Sequence, residues 1–297
     1  MTYDRIRTDQ GTRPKRAFPS WVALVAMVAL ARPIAAQDSG WLPQMVPMDS
    51  MAARTPFGPG EHLVYNVKVG IFNVGQGHLT VEGTDWVRGR PTYRAVLGLD
   101  GSALFFSMSD KHTSYFDVHT LQSWRFVQDL NGSYTSFRHY EFYPDRDLWD
   151  REDNDEFGPM ATDFPIDDVS ILYFVRTLPL EVGDHYTFDT YSYFKEEGNP
   201  VQVNVLRRDH RKTEAGEFNT IVVEPIIRTS RMFGEGGKAE LHFTDDERRI
   251  LVYMKVDMPR VPGSLTLHLQ SIQEGFPVNP HSRAEVLGAQ ARRRDQR

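Results

Sequence analysis

The chain has 297 residues, a net charge of −6 and no cysteine. This mild acidity argues against nucleic acid as a partner, because that class of ligand needs a concentrated basic face. The missing thiols exclude disulfides, a cysteine nucleophile and a lipid-modified cysteine at a processed N-terminus, so the core alone must hold the fold.

Arg13, Lys15 and Arg16 precede an apolar run from Trp21 to Ala31, and small residues follow at Ala35 and Ala36. Charged, then apolar, then small is the order of a secretory signal, with cleavage expected after Ala36. The rival is an uncleaved anchor, but the run falls short of the ~20 residues a bilayer span needs, and Arg32-Pro33 interrupts it. Residues 1–36 are therefore assigned as a signal peptide and 37–56 as a linker. The chain is expected to be exported, to the periplasm or outer cell envelope, without an integral membrane span after cleavage. The roughly 260 residues left can bury one large β domain, or two fused ones.

The domain opens near Phe57-Gly58-Pro59-Gly60. Leu63, Tyr65, Val67, Val69 and Ile71 then share one face of a strand, with His62, Asn66 and Lys68 on the other. Such alternation marks a strand with one wet face. Gly75 and Gly77 permit a turn or bulge. Strands are predicted at Pro91–Leu99, Phe105–Asp117, Gln122–Asp129 and Ser133–Tyr143, with Asn131-Gly132 as a hairpin turn. Asp145 to Glu156 is dense in acids and reads as an exposed loop.

The stretch Asp167 to Thr177 is the best helix candidate. Asp167 or Asp168 suits the N-terminal cap, Arg176 suits the last turn, and Pro179 ends the run. It is apolar all round, as a buried helix must be. A buried strand is the alternative, since Ile-Leu-Tyr-Phe-Val is rich in β-formers. Beyond it, Gly183-Asp184-His185-Tyr186-Thr187-Phe188-Asp189 echoes Gly60-Glu61-His62-Leu63-Val64-Tyr65-Asn66. The echo reads either as an internal duplication or as two similar turns entering strands.

Alternation then recurs at Val201/Val203/Val205, Ile221/Val223, Ala239/Leu241/Phe243, Val252/Met254/Val256/Met258 and Leu265/Leu267/Leu269. Turn residues separate these runs at Glu214-Ala215-Gly216, Asp245-Asp246-Glu247 and Pro262-Gly263. The pattern predicts antiparallel hairpins. A one-faced sheet of this length must curl around something or close on itself, and the buried helix is the object to wrap. The predicted architecture is mainly β: a curved antiparallel sheet or half-barrel around one short buried helix at about 168–177. One domain is expected over 57–275, with possible halves at 57–165 and 178–275 and a disordered tail over 276–297, including Arg292-Arg293-Arg294.

Several stretches resemble the bacterial envelope family called domain of unknown function 3108. They are Pro56–Glu61 with its strand, Asp110–Leu121, Asp168–Thr177, Thr213–Thr220 and Phe243–Arg249, in order over about residues 56 to 275. The resemblance implies an exported, mostly antiparallel β protein. It carries no established reaction or ligand and so transfers no catalytic residues. The family's architecture is also similar to envelope lipid and lipoprotein carriers, which license only a hypothesis by analogy of fold.

No histidine pair has a His-x-x-x-His spacing, and no Gly-x-Ser-x-Gly elbow is present. His242 and His268 share polar strand faces and could meet, although exposed histidines on a sheet are the commoner reading. Asp150, Glu152, Asp153, Asp155 and Glu156 lack the spacing of a calcium loop. Gly75-x-Gly77 lacks the rest of a nucleotide loop. Asp110 with Asp117, or Asp245, Asp246 and Glu247, could act as paired carboxylates on a sugar, but turn capping is the commoner use. Trp86, Trp124, Trp149, Tyr93, Tyr115, Tyr134 and Tyr140 could stack on sugars or simply fill the core.

No catalytic residue, metal ligand or cofactor is assigned. The expected function is a non-enzymatic envelope protein that binds an apolar or amphipathic component, such as a lipid, or an envelope protein partner. Val169, Leu172, Tyr173 and Phe174 are the candidate ligand contacts. The alternatives are a polysaccharide hydrolase using paired carboxylates and a purely structural module.

Overall fold

A computed structural model describes residues 55–103, 106–133, 135–188, 192–228, 239–257 and 264–276. The expected signal peptide, nearly all of the linker and the tail beyond Phe276 lie outside the described residues.

In chain order the elements are β1 (His62–Val69), β2 (Phe72–Val87), β3 (Arg90–Ala103), β4 (Phe106–Asp117), β5 (Ser123–Gly132) and β6 (Ser136–Tyr143). β7 (Leu148–Arg151), β8 (Phe157–Pro159), β9 (Pro165–Ile166), α1 (Ser170–Val175), β10 (His185–Phe188) and β11 (Ser192–Tyr193) follow. The last five are β12 (Val201–Thr213), β13 (Gly216–Ile226), β14 (Ala239–Thr244), β15 (Leu251–Asp257) and β16 (Ser264–Gln273). Fourteen strands form one curved, open sheet in the order β10-β12-β13-β14-β15-β16-β1-β2-β3-β4-β5-β6-β7-β8. Each described pairing in it is antiparallel. β9 and β11 form a separate parallel pair.

The two halves of the chain meet in the middle of this sheet, where β1 pairs with β16 from His62↔Gln273 to Val69↔Leu265. Alternation sends Leu63, Tyr65 and Val67 of β1, Leu79 and Val81 of β2, and Leu267 and Leu269 of β16 into one core with α1. The same face continues through Phe126 and Tyr140 on one wing and Val203, Val223 and Leu241 on the other. A sheet with one apolar face hides that face by bending over an apolar object, and α1 is that object.

α1 is shorter than the sequence suggests. Only Ser170–Val175 is helical, and all six residues are buried. Its start is fixed by Asp167, whose Oδ1 accepts from the backbone N–H of Val169 and of Ser170, each at 2.9 Å. Arg176 does not serve a helix dipole. It turns inward to Glu61, because a charge buried at the end of so short a helix gains more from a carboxylate than from a partial dipole.

Three further expectations need correcting. Ile71 lies beyond the end of β1 in the β1–β2 turn, where its side chain faces water rather than the core. Asn131 and Gly132 lie within the β5–β6 hairpin connection but do not close it as a two-residue turn. They still pair with Ser109 and Met108 of β4, and the β5–β6 ladder ends at Leu130↔Ser136. The acidic stretch 145–156 contains β7, because Trp149 packs an aromatic face under the sheet edge while Arg151 neutralises Asp153 and Glu156. β7 is paired on both sides, with β6 and with the edge strand β8, so the charges of the stretch flank a strand that lies one place in from the sheet edge. The glycines of the Gly60/Gly183 echo both adopt positive φ, +88° and +96°, as either a duplication or two similar turns would give. The strands they introduce differ, since β1 is central and β10 is an edge. The expected bulge at Gly75 is present, for Val67 pairs with Gly75 and Lys68 with Asn73.

Candidate functional site

The expected ligand contacts lie inside the bend of the sheet. Val169, Leu172, Tyr173 and Phe174 each have 0 % exposure. Tyr173 meets Phe57 at 4.8 Å and Phe116 at 5.5 Å between ring centroids, and Phe174 meets Phe188 edge-on at 5.3 Å. Such spacings are ordinary for packed aromatic pairs. The described side chains of the sheet and the helix thus occupy this part of the interior themselves.

Two polar groups accompany the helix into the core. Arg176 makes a two-pronged ion pair with Glu61, at 2.6 Å to Oε1 and 2.8 Å to Oε2. It also donates to the carbonyl of Pro56 at 3.3 Å and to that of Arg248 at 3.1 Å. The pair therefore ties the segment before β1 and the β14–β15 turn to the end of α1. Burial, reinforced by the nearby Glu61 carboxylate, pushes the Tyr65 and Tyr173 hydroxyls up, so neither is a ready proton donor. At the other end of α1, Asp167 Oδ2 accepts from Ser114 Oγ at 2.6 Å and Ser123 Oγ at 2.7 Å. Burial raises the Asp167 carboxyl above its ordinary value, against the pull of these hydrogen bonds. This group binds the helix to β4 and β5 and touches no open surface.

Of the proposed carboxylate pairs, Asp110 and Asp117 are not brought together. Asp110 and Asp117 both lie on β4, seven residues apart, or about 23 Å at ~3.3 Å per residue. Hydrolysis of a glycosidic bond needs carboxyls within roughly 10 Å. Asp117 Oδ1 accepts from the backbone N–H of His119 at 2.7 Å and of Thr120 at 2.9 Å, so it closes the β4–β5 turn. Asp245 is held by Arg208 at 2.8 Å and Arg249 at 3.2 Å, and Asp246 by Arg248 at 2.7 Å. Glu224 accepts from Asn204 Nδ2 at 3.1 Å. Burial raises the Asp110 carboxyl, but its one carboxylate neighbour of note, Asp100, is already held by Ser109 Oγ at 2.6 Å.

The outer face carries a polar row that crosses the sheet. The register runs His242↔Tyr253↔His268↔Asn66↔Gln76↔Asp100↔Ser109↔Asn131. His242 and His268 do not meet. Tyr253 stands between them, edge-on to each ring at 5.0 Å. His242 is wholly covered because Arg211 lies along it, 3.2 Å from each ring nitrogen, and stacks on Tyr253 at 4.4 Å. Burial, and then the Arg211 charge, lower His242 to about 4, so it is neutral at neutral pH. Among the described residues no group of three His, Asp or Glu side chains is arranged to hold a metal.

A second outer cluster escaped sequence reasoning. Glu141, nearly buried, is paired with Arg88, Arg125 and His139. Arg88 and Arg90 lie over Trp124 at 5.3 and 5.1 Å, and Arg88 and Arg146 over Tyr143 at 4.4 and 5.4 Å. Its members come from the β2–β3 turn, β3, β5, β6 and the β6–β7 turn, and only the β-register aligns them. The aromatic residues Tyr93 and Tyr140 are core, while Trp86 is half-exposed. Tyr134 lies outside the described residues.

A family model described as a protein of unknown function (DUF3108) matches residues 64–270. No curated protein matches the chain. Among solved structures, a candidate lipoprotein from Parabacteroides distasonis is 11 % identical with a TM-score of 0.33, covering 74 % of this chain and 99 % of its own. A candidate exported protein with a YmcC-like fold from Bacteroides fragilis is 12 % identical with a TM-score of 0.29, covering 74 % of this chain and 99 % of its own.

Proposed function

The chain belongs to the DUF3108 family of proteins of unknown function, and on that premise we propose that it is an exported, non-enzymatic envelope protein that works by contact. Its outer surface engages an apolar or amphipathic envelope component or a partner protein. The observation that carries this reading is the occupied interior: the helix side chains facing the bend of the sheet have no solvent exposure. A carrier with a preformed site keeps an apolar pocket of several hundred cubic ångströms. On this reading Val169, Leu172, Tyr173 and Phe174 would meet a ligand only if the sheet opened. The order of charged, apolar and small residues over 13–36 supports export. Among the described residues no helix is long and apolar enough to cross a membrane.

The test combines native mass spectrometry with turnover assays on protein recovered from the exporting cell. One apo mass is expected, with no release of reducing ends from cell-wall or surface polysaccharide. A lipid retained at one per chain through desalting would replace this reading with carriage. Polysaccharide cleavage abolished by Asp110→Asn would replace it with the hydrolase.

A further inference from the structure

Most turns of the sheet carry charge, and at the same end as β1–β2 the β7–β8 turn holds Glu152, Asp153, Asp155 and Glu156. At one end β2–β3 turns through Arg88-Gly89, β12–β13 through Glu214-Ala215, β14–β15 through Asp245–Arg249 and β6–β7 through Pro144–Asp147. Each of these turns carries charge. At the other end the β1–β2 turn presents Ile71 at 89 % exposure and Phe72 at 69 %. Gly70, with φ +58°, supplies the left-handed position that this tight turn requires. Nothing in the turn's geometry calls for two large apolar side chains beyond it, where polar residues are usual. Hydrating them is unfavourable in proportion to their area, so a covering phase would be favoured.

The residues just behind this tip have another character. Lys68 pairs with Asn73, Gly70 N–H donates to the carbonyl of Ser264 at 3.3 Å, and Lys255 pairs with Asp257 at 3.3 Å. Ser109 donates to Asp100 on the neighbouring strands. A projecting apolar tip thus stands in front of a polar belt of both signs. Lys68 lies three residues from Ile71, or about 10 Å along the strand. That depth matches the roughly 5–10 Å to which interfacial segments enter the boundary between headgroups and acyl chains. A convex tip fits a deformable apolar phase, and a belt that carries both signs, with Lys68, Lys255, Asp257 and Asp100, matches zwitterionic headgroups.

We propose that Ile71 and Phe72 form a membrane-contact tip that seats this end of the sheet in a zwitterionic phospholipid surface. The proposal rests on the reading of an exported contact protein and names its partner.

The test uses protein recovered from the exporting cell and vesicles of phosphatidylethanolamine and phosphatidylcholine. Sedimentation with vesicles is expected to fall about tenfold or more in I71S/F72S, given the apolar area removed. It should persist in I71L/F72L and in V182S, a half-exposed residue of the other end. The indole emission of the Phe72→Trp variant is expected to shift to the blue on adding vesicles. Circular dichroism of each variant shows whether the sheet is retained. Equal sedimentation of wild type and I71S/F72S, or emission from F72W that is indifferent to lipid, would overturn the proposal. So would a blue shift that follows protein concentration without lipid, which would make the tip an interface between copies. These outcomes leave the turnover and native-mass results untouched, so failure of the lipid partner is distinct from failure of the contact reading.

Discussion

Replacing Arg176 with Met removes a cation whose side chain has 0 % exposure and leaves the Glu61 carboxylate, at 5 % exposure, without its partner. The substitution keeps most of the apolar stem and deletes the guanidinium, with its stacking over Phe57 at 5.2 Å and Tyr173 at 5.7 Å. Breaking a buried pair from one side costs about 3–5 kcal/mol, because the remaining charge stays desolvated. Two carbonyls, of Pro56 and Arg248, also lose a donor, which places R176M toward the upper part of that range. For a domain of this size each kcal/mol lowers the midpoint by roughly 2–4 °C, so a fall on the order of 10 °C is expected. The double variant E61Q/R176M removes the stranded charge and should regain about 1–3 kcal/mol over R176M alone. Urea unfolding followed by circular dichroism, run as a double-mutant cycle, measures both quantities. The reasoning fails if R176M costs under about 1 kcal/mol, or if the two substitutions simply add.

His242 is depressed to about 4 by burial and Arg211, while the unfolded chain titrates near 6.5. The unfolded state therefore binds the extra proton first as pH falls. Stability should drop as pH is lowered from about 6.5 toward 4, and H242Q should lack that component; an imidazole resonance titrating near 6.5 would contradict this. Asp167 has the opposite linkage. Its carboxyl is raised by burial, so its contribution is full below the ordinary aspartate value of 3.8 and is lost as pH rises through the raised value. The pH dependence of wild type minus D167N should show that decline, and a flat difference would sink it. A methyl added at Gly75 would lie 2.0 Å from the backbone oxygen of Asp100, so G75A should cost ~1–3 kcal/mol by prying β2 from β3. At Gly83, where no atom stands within 4 Å, G83A should stay within about 0.5 kcal/mol in denaturant melts.

The strands with one wet face were legible because burial and alternation there are the same fact. Leu63/Tyr65/Val67 and Leu267/Leu269 read directly into the core. The helix was legible from Asp167 and from apolarity on all sides, but its length was not, since caps set the start of a helix better than its end. Ile71 misled because periodicity does not show where a strand stops. β7 was hidden by the charged residues of and around its four-residue run, Leu148–Arg151. The pairing of Arg176 with Glu61, 115 residues away, has no local signal at all. Nor does the alignment of Arg88, Trp124 and Tyr143, which depends on register between strands distant in sequence.

The central seam between β1 and β16 has a consequence for how the protein is made. The first and last long strands are neighbours, with some 200 residues threaded between His62 and Gln273. A chain still emerging can form its hairpins one by one, yet it cannot join its two wings until the final strand arrives. Closing so long a loop is entropically demanding and slow. Folding is thereby postponed until synthesis, or passage through a pore, is nearly complete, and a chain cut before Ser264 would be left with two sheets and no middle.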